Sequence, residues 1–219
     1  MFRFVILIIA LIFLYSCDGL VWPDIKTCDK RFHFWQPFYG SIPMNAFIAG
    51  TDKGGEKKYI ARVISPDSRS WSAPTTFAEN SRHIFFSWEN HTEKVDRYIE
   101  IMSVSPGSTP GFGWRDSTKD DLEELRGICC LVQGGTGYLN KRKVVSYVGR
   151  TLTKGKYFVG GVYRPEWRIF ETVHPMRYVD EVGRFFGLSD GFEVLAYDCC
   201  DETYCKRPNK ADCCYDILI

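Results

Sequence analysis

The chain has 219 residues, a formal net charge of +1, and 45% hydrophobic with 16% aromatic residues. A near-neutral surface lacks the basic excess that phosphate binding requires, which argues against nucleic acid as a partner. The apolar content is too high for a disordered chain and is enough for one or two cores.

The first predicted element is a leader. Arg3 is followed by an unbroken apolar run from Phe4 to Tyr15, closed by Ser16-Cys17-Asp18-Gly19. This is the build of a secretory signal peptide over residues 1–19, and cleavage after Gly19 places small residues at both recognition positions. Cleavage after Ser16 is the alternative and would retain Cys17. A run of about 12 residues falls short of the roughly 20 that span a bilayer as a helix, so no stable membrane insertion is expected and the mature chain is expected to be secreted. Arg3 and Asp18 leave together, so the charge stays at +1.

An aromatic lead segment, residues 20–41, contains most of "FHFWQPFYGSIP" and runs into a first unit at 42–104. Short runs rich in Val, Ile, Tyr and Phe follow one another, broken by Gly, Pro, Asp and Ser: "KKYIARVI", "HIFFSWE" and "DRYIEIMSV". None sustains a 3.6-residue apolar period, so strands are predicted, and "DKGG" is predicted as a hairpin turn with a glycine at positive φ. Residues 105–126, "SPGSTPGFGWRDSTKDDLEEL" with its flanking residue, are rich in Pro, Gly and Ser and then acidic. They read as a linker with one helical turn at Asp120 to Leu125. A second unit at 127–198 repeats the strand pattern in "KVVSYVGRTL", "KYFVGGVY", "RIFETV" and "GFEVLAYD". A Cys-rich tail, 199–219, closes the chain.

The two units echo each other. "NAFIAGTDKGGEKKYIARV" at 45–63 is answered by "VQGGTGYLNKRKVVSYVGRT" at 132–151, and Tyr59-Ile60-Ala61-Arg62 by Tyr147-Val148-Gly149-Arg150. A period of roughly 90 residues is too long for a solenoid and fits a duplicated all-β unit. The recurrence of Arg62 and Arg150 at one place points to a structural ion pair in each copy.

Removing Cys17 leaves eight cysteines: Cys28, Cys129, Cys130, Cys199, Cys200, Cys205, Cys213 and Cys214. An even number behind a secretory leader implies disulfides. Adjacent cysteines span only about 3.8 Å between Cα atoms, below the usual disulfide range, so members of the vicinal pairs are expected to reach different partners. At least one of Cys129 and Cys130 is expected to bridge to the 199–214 cluster. Cys28 is left for a remaining tail partner or for a bridge between two chains in a homodimer.

"SIPMNAFIAGTDKGGEKKYIARV", the closing "YIEIM", and in the second copy "YVGRTLTKGKYFVGGVY" with "FEVLAYD" resemble the DM9 repeat, which occurs singly or in tandem in invertebrate proteins and in natterin-like proteins. The resemblance spans most of residues 35–198. It implies a compact fold of two tandem pseudo-symmetric β units. Some members are mannose-binding lectins of innate immunity, in which an Asp of the Ala-Gly-x-Asp turn and a Lys of a downstream Pro-Gly-Lys motif hold the sugar. Asp52 matches that Asp; the Lys position falls near Ala73 and Gly161, where no Lys stands, and Gly137 replaces the Asp in the second copy.

A carboxylate such as Asp52 accepts hydrogen bonds from vicinal sugar hydroxyls, and an aromatic ring packs against the apolar face of a pyranose. Trp71 is the aromatic candidate and Glu89 an acidic one, with Trp88 and Tyr59 weighed between stacking and core. A plain turn role for Asp52 ahead of two glycines stands beside the ligand role. Asn90-His91-Thr92 is a glycosylation sequon. Gly187-Leu188-Ser189-Asp190-Gly191 matches G-x-S-x-G, but a strand-like segment follows and no histidine lies beyond His174, so it reads as a turn. The four histidines lack metal spacing, no cofactor motif is present, and no enzyme is expected. The sequence thus leads to a secreted carbohydrate-binding protein of microbial surfaces, with a structural or interaction protein that keeps the fold as the alternative.

Overall fold

The computed structural model describes residues 33–64, 72–88, 91–105, 112–139, 142–163, 174–197 and 199. The leader, Trp71, Glu89, Asn90, the expected strand "RIFETV" and Cys28, Cys200, Cys205, Cys213 and Cys214 lie outside them. The fold is all-β, and every ladder is antiparallel. No described helix is long and apolar enough to cross a membrane.

The first half gives β1 (His33–Pro37), β2 (Ile48–Thr51), β3 (Lys57–Val63), β4 (Pro74–Ala78), β5 (Ile84–Trp88), β6 (His91–Val95) and β7 (Ile99–Val104). The second gives β8 (Gly113–Ser117), α1 (Leu122–Ile128), β9 (Cys130–Leu131), β10 (Gln133–Leu139), β11 (Arg142–Thr153), β12 (Lys156–Val162), β13 (Met176–Val179), β14 (Phe185–Leu188) and β15 (Phe192–Tyr197). The first sheet runs β1-β7-β3-β2 with β4 also on β3; the second runs β14-β13-β12-β11-β15-β8 with β10 also on β11 and β9 on β15; β5 and β6 form a separate hairpin.

The repeat seen in the sequence is a repeat of ladders. β3 takes β2, β4 and β7 as partners, and β11 takes β10, β12 and β15 in the same arrangement. Arg62 lies opposite Glu100 and Arg150 opposite Glu193, so Ile60 corresponds to Val148 and Lys58 to Ser146. Each copy also carries a register shift at the same place, between Ile48 and Gly50 and between Gln133 and Gly135. Glycine is required at both. A Cβ on Gly50 would run into the Tyr157 ring, and one on Gly135 into the Ser72 carbonyl, so each bulge leans on the other copy.

The segment read as a linker does more than connect. Its Gly-Trp-Arg-Asp-Ser stretch is β8, paired with β15 as β1 is paired with β7, which makes the aromatic lead and the linker equivalent strands. Trp35 and Trp114 occupy matching sites, opposite Met102 and Leu195. The expected helical turn is the longer α1, which starts two residues later than expected because it is Leu122 and Leu125, both fully buried, that dock it, while Glu123 and Glu124 face solvent.

Three apolar clusters result. Tyr59, Ala61, Phe77, Ile84 and Ile101 fill the first unit, so Tyr59 is a core residue. Leu122, Leu125, Val162, Met176 and Phe192 fill the second. Between the sheets a third cluster takes Ala49, Ile60 and Met102 from one copy and Val132, Val148, Val159 and Leu195 from the other. Alternation along β3 explains this: Tyr59 and Ala61 point to one face, Lys58, Ile60 and Arg62 to the other.

Two expected local features are present. Gly55 has φ 84° in the "DKGG" turn, and Ser189 to Gly191 form the turn from β14 into β15, a strand rather than a helix. Cys129 bridges Cys199 across 70 residues, tying the start of the second unit to the end of its last strand, and Cys130 is disulfide-bonded as well.

Candidate functional site

Each copy has an Arg–Glu–Trp arrangement. Arg62 Nη2 lies 2.6 Å from Glu100 Oε2 and its guanidinium sits 4.2 Å over the Trp35 ring. Arg150 meets Glu193 with two bonds, 2.6 and 2.9 Å, and lies 4.3 Å over Trp114. The planar guanidinium is suited to both contacts at once, a fork on the carboxylate and a face on the indole. Arg150 reaches further than Arg62: it also donates to the Ala49 carbonyl of the first unit and covers Tyr157.

Where the two units meet, charged groups gather. Asp52 is 8% exposed; its Oδ1 accepts the Tyr157 N–H at 2.8 Å and its Oδ2 lies 3.2 Å from Lys58 Nζ. Lys58 is 1% exposed, and the same ammonium is 2.5 Å from Glu56 Oε2 and 3.1 Å from Glu181 Oε1. Glu181 also takes the Lys156 ammonium. Five side chains from both units thus form one network, with the buried pair inside and Glu56, Glu181 and Lys156 at its rim.

Local turn chemistry positions the carboxylates. In Asp52-Lys53-Gly54-Gly55-Glu56, the Asp52 N–H donates to the Glu56 carbonyl at 2.9 Å and Gly55 N–H to the Asp52 carbonyl at 2.8 Å. Asp180-Glu181-Val182-Gly183-Arg184 repeats that pattern at 3.0 and 3.1 Å, with Gly183 at φ 85°. Both turns present a glutamate to Lys58. The Lys53 N–H donates to the Gly155 carbonyl at 3.1 Å and locks the first turn against the β11–β12 hairpin.

Burial lowers the affinity of Lys58 for its proton, but its bonds to Glu56, Glu181 and Asp52 more than offset this, and its pKa lies above the ordinary value. The bond from Lys156 holds the Glu181 carboxyl below its ordinary value, helped by Lys58 and opposed by burial. Asp52, Glu56 and Glu181 have carboxylate oxygens close enough to share a cation, and the Lys58 ammonium contacts all three. That ammonium supplies the positive charge a metal would bring.

Of the residues expected from sequence, Asp52 stands in this network, while Trp71 and Glu89 lie outside the described residues. Neither Ala73, which is buried, nor Gly161 carries a lysine, and they are not equivalent: Gly161 faces Val148 and matches Thr76, which faces Ile60. Sequence reasoning missed Glu56, Lys58, Lys156 and Glu181. Lys58 carried a signal, since it shares the inward phase of β3 with Ile60, a place where a charge needs partners. Lys156 and Glu181 carried none, standing 98 and 123 residues from Lys58. The sequence matches no family model and no curated protein.

Proposed function

We propose that the protein is a non-catalytic carbohydrate-binding protein whose glycan meets the rim of this seam. The observation that supports the reading is the convergence beside Asp52 of two part-exposed carboxylates, Glu56 and Glu181, and the half-exposed ammonium of Lys156. Carboxylates accept from vicinal hydroxyls while an ammonium donates to ring or glycosidic oxygens, so the set fits a neutral polyol. Asp52 serves from behind, fixing Lys58 and the Tyr157 backbone. Mannose-type glycans are the first class to test because of the Ala-Gly-x-Asp motif, and the leader makes an extracellular setting the expected one.

Burial of Asp52 and Lys58 favours a second reading, in which the network is only a clamp between the units. A glycan array with the mature chain and with Lys156→Ala and Glu56→Gln separates them. Lys156→Ala removes an exposed partner and should cost no more than about 1 kcal/mol of stability; Glu56→Gln keeps an acceptor beside Lys58, which retains Asp52 and Glu181 as counterions. The lectin reading expects at least a tenfold loss of glycan binding in both variants. Absence of binding to every glycan, or binding indifferent to both substitutions, would leave the clamp.

A further inference from the structure

The second unit has an open cavity of about 400 Å³ where β8, β11 and β15 end, within the size range of small-ligand pockets, about 300–1,000 Å³. It shares no residue with the charged network of the seam, and Asp116, Asp121, Arg150, Leu152, Gly191 and Glu193 are among its lining residues. Register gives its counterpart in the first unit. Asp116 faces Glu193 as Pro37 faces Glu100, so Thr118 corresponds to Tyr39, Leu152 to Ile64 and Gly191 to Tyr98. Gly191 and Tyr98 share an unusual backbone, φ 66° and 55°. One copy has an aromatic and aliphatic surface there, with Tyr39 89% and Tyr98 61% exposed; the other has carboxylates around a space that a glycine leaves open.

The lining fixes the sign of the ligand. Arg150 is matched by Glu193 in a two-bond pair, and Asp116 and Asp121 remain, so three carboxylates against one guanidinium leave −2. Thr118 Oγ1 donates to Asp121 Oδ2 at 3.0 Å and Thr151 Oγ1 to the Gly191 carbonyl at 3.1 Å, so these hydroxyls shape the wall and the carboxylates face the ligand. Among the described residues these three carboxylates do not cluster tightly enough to share one metal ion. Separated acceptors around an open volume suit an organic cation with a polar body.

We propose that this cavity binds an amino sugar, its ammonium placed at Asp116 and Asp121 and its ring in the space above Gly191. A charged acceptor pair strengthens each ammonium bond, and an N-acetyl group would delete the charge while adding bulk. The site uses none of the five charged side chains of the seam network, so its fate and that of the network are read separately.

Calorimetry of the full chain with glucosamine, N-acetylglucosamine and methylammonium tests it. Glucosamine is expected to bind at least tenfold more tightly than either of the others. Asp116→Asn with Asp121→Asn, which keeps the shape, is expected to remove that preference. Gly191→Tyr installs the residue that the first unit holds at the same backbone angles, and should abolish binding while leaving the glycan response of the seam intact. Equal affinity for the two sugars, equal affinity for glucosamine and methylammonium, no glucosamine binding, or a preference that survives both aspartate changes would each overturn the proposal.

Discussion

The two units share their inner faces and differ at their ends. On the sides that meet, an arginine lies between a glutamate and a tryptophan in both copies, the bulged glycine recurs, and each bulge leans on the partner unit. At the ends of the same strands, Tyr39, Ile64 and Tyr98 in one copy stand where Thr118, Leu152 and Gly191 stand in the other. Packing tolerates little change of volume or charge between two sheets, whereas a strand end facing water accepts either chemistry. Divergence of two copies within one chain therefore separates what the fold needs from what a ligand could use.

Covalent closure of the second unit gives the largest expected effect. The Cys129–Cys199 bridge closes a loop of 70 residues in the second unit, and no bridge is present in the first among the described residues. In the chain-entropy model such a loop contributes about 4 kcal/mol. Replacing both cysteines by serine should lower stability by that amount in urea titrations. Hydrogen exchange should show β9 and β15 opening before β3 and β7. If both units instead lose protection together, the bridge acts on the whole fold and the copies are not separable in stability.

A second way to sharpen the comparison is to remove the lysine that only the first copy has. Lys58→Met leaves buried Asp52 without its cation, and breaking a buried pair costs about 3–5 kcal/mol; the low end, about 3 kcal/mol, is expected because Glu56 and Glu181 are 36% and 42% exposed. The pH dependence should change with it. Glu181, held below its ordinary 4.5, contributes stability that is present above that pH and is lost as pH falls through the depressed value. Lys58, raised above its ordinary 10.5, contributes stability present below that pH and lost as pH rises through the raised value. The wild type should therefore show a plateau falling at both ends, and Lys58→Met should lose the alkaline fall. An unchanged alkaline limb in the variant would assign it to other groups.

The strands and the duplication were legible because they rest on local signals: β-branched and aromatic runs, turn glycines, and a repeated Tyr-aliphatic-small-Arg segment. β1 and β8 were not, since His33–Pro37 and Gly113–Ser117 are made strands by partners 63 to 83 residues away. Pro, Gly and Ser before Trp114 disguised the second as part of a linker. The Arg62 and Arg150 ion pairs were legible because repetition at one site pointed to a shared structural task. At the seam, Asp52 was visible in its turn motif and Lys58 in the inward phase of β3, while Glu181 and Lys156 arrive from the other unit by tertiary packing alone.

The smallest expected effect comes from the matching position on β11. Ser146 corresponds to Lys58, since Gly135 faces Ser146 as Gly50 faces Lys58, and it is 2% exposed. The lysine there has three carboxylate partners; the serine hydroxyl has none among the described residues. A buried hydroxyl without a partner costs its desolvation and returns no bond, so deleting it removes a penalty rather than an interaction. Ser146→Ala should thus be neutral or stabilising by up to about 1 kcal/mol, at a site whose counterpart loses about 3 kcal/mol on truncation. Thermal denaturation of the two single variants side by side measures the contrast. A loss of 1 kcal/mol or more in Ser146→Ala would mean that the hydroxyl is bonded in solution, and that the second copy kept a polar contact where the first kept a charge.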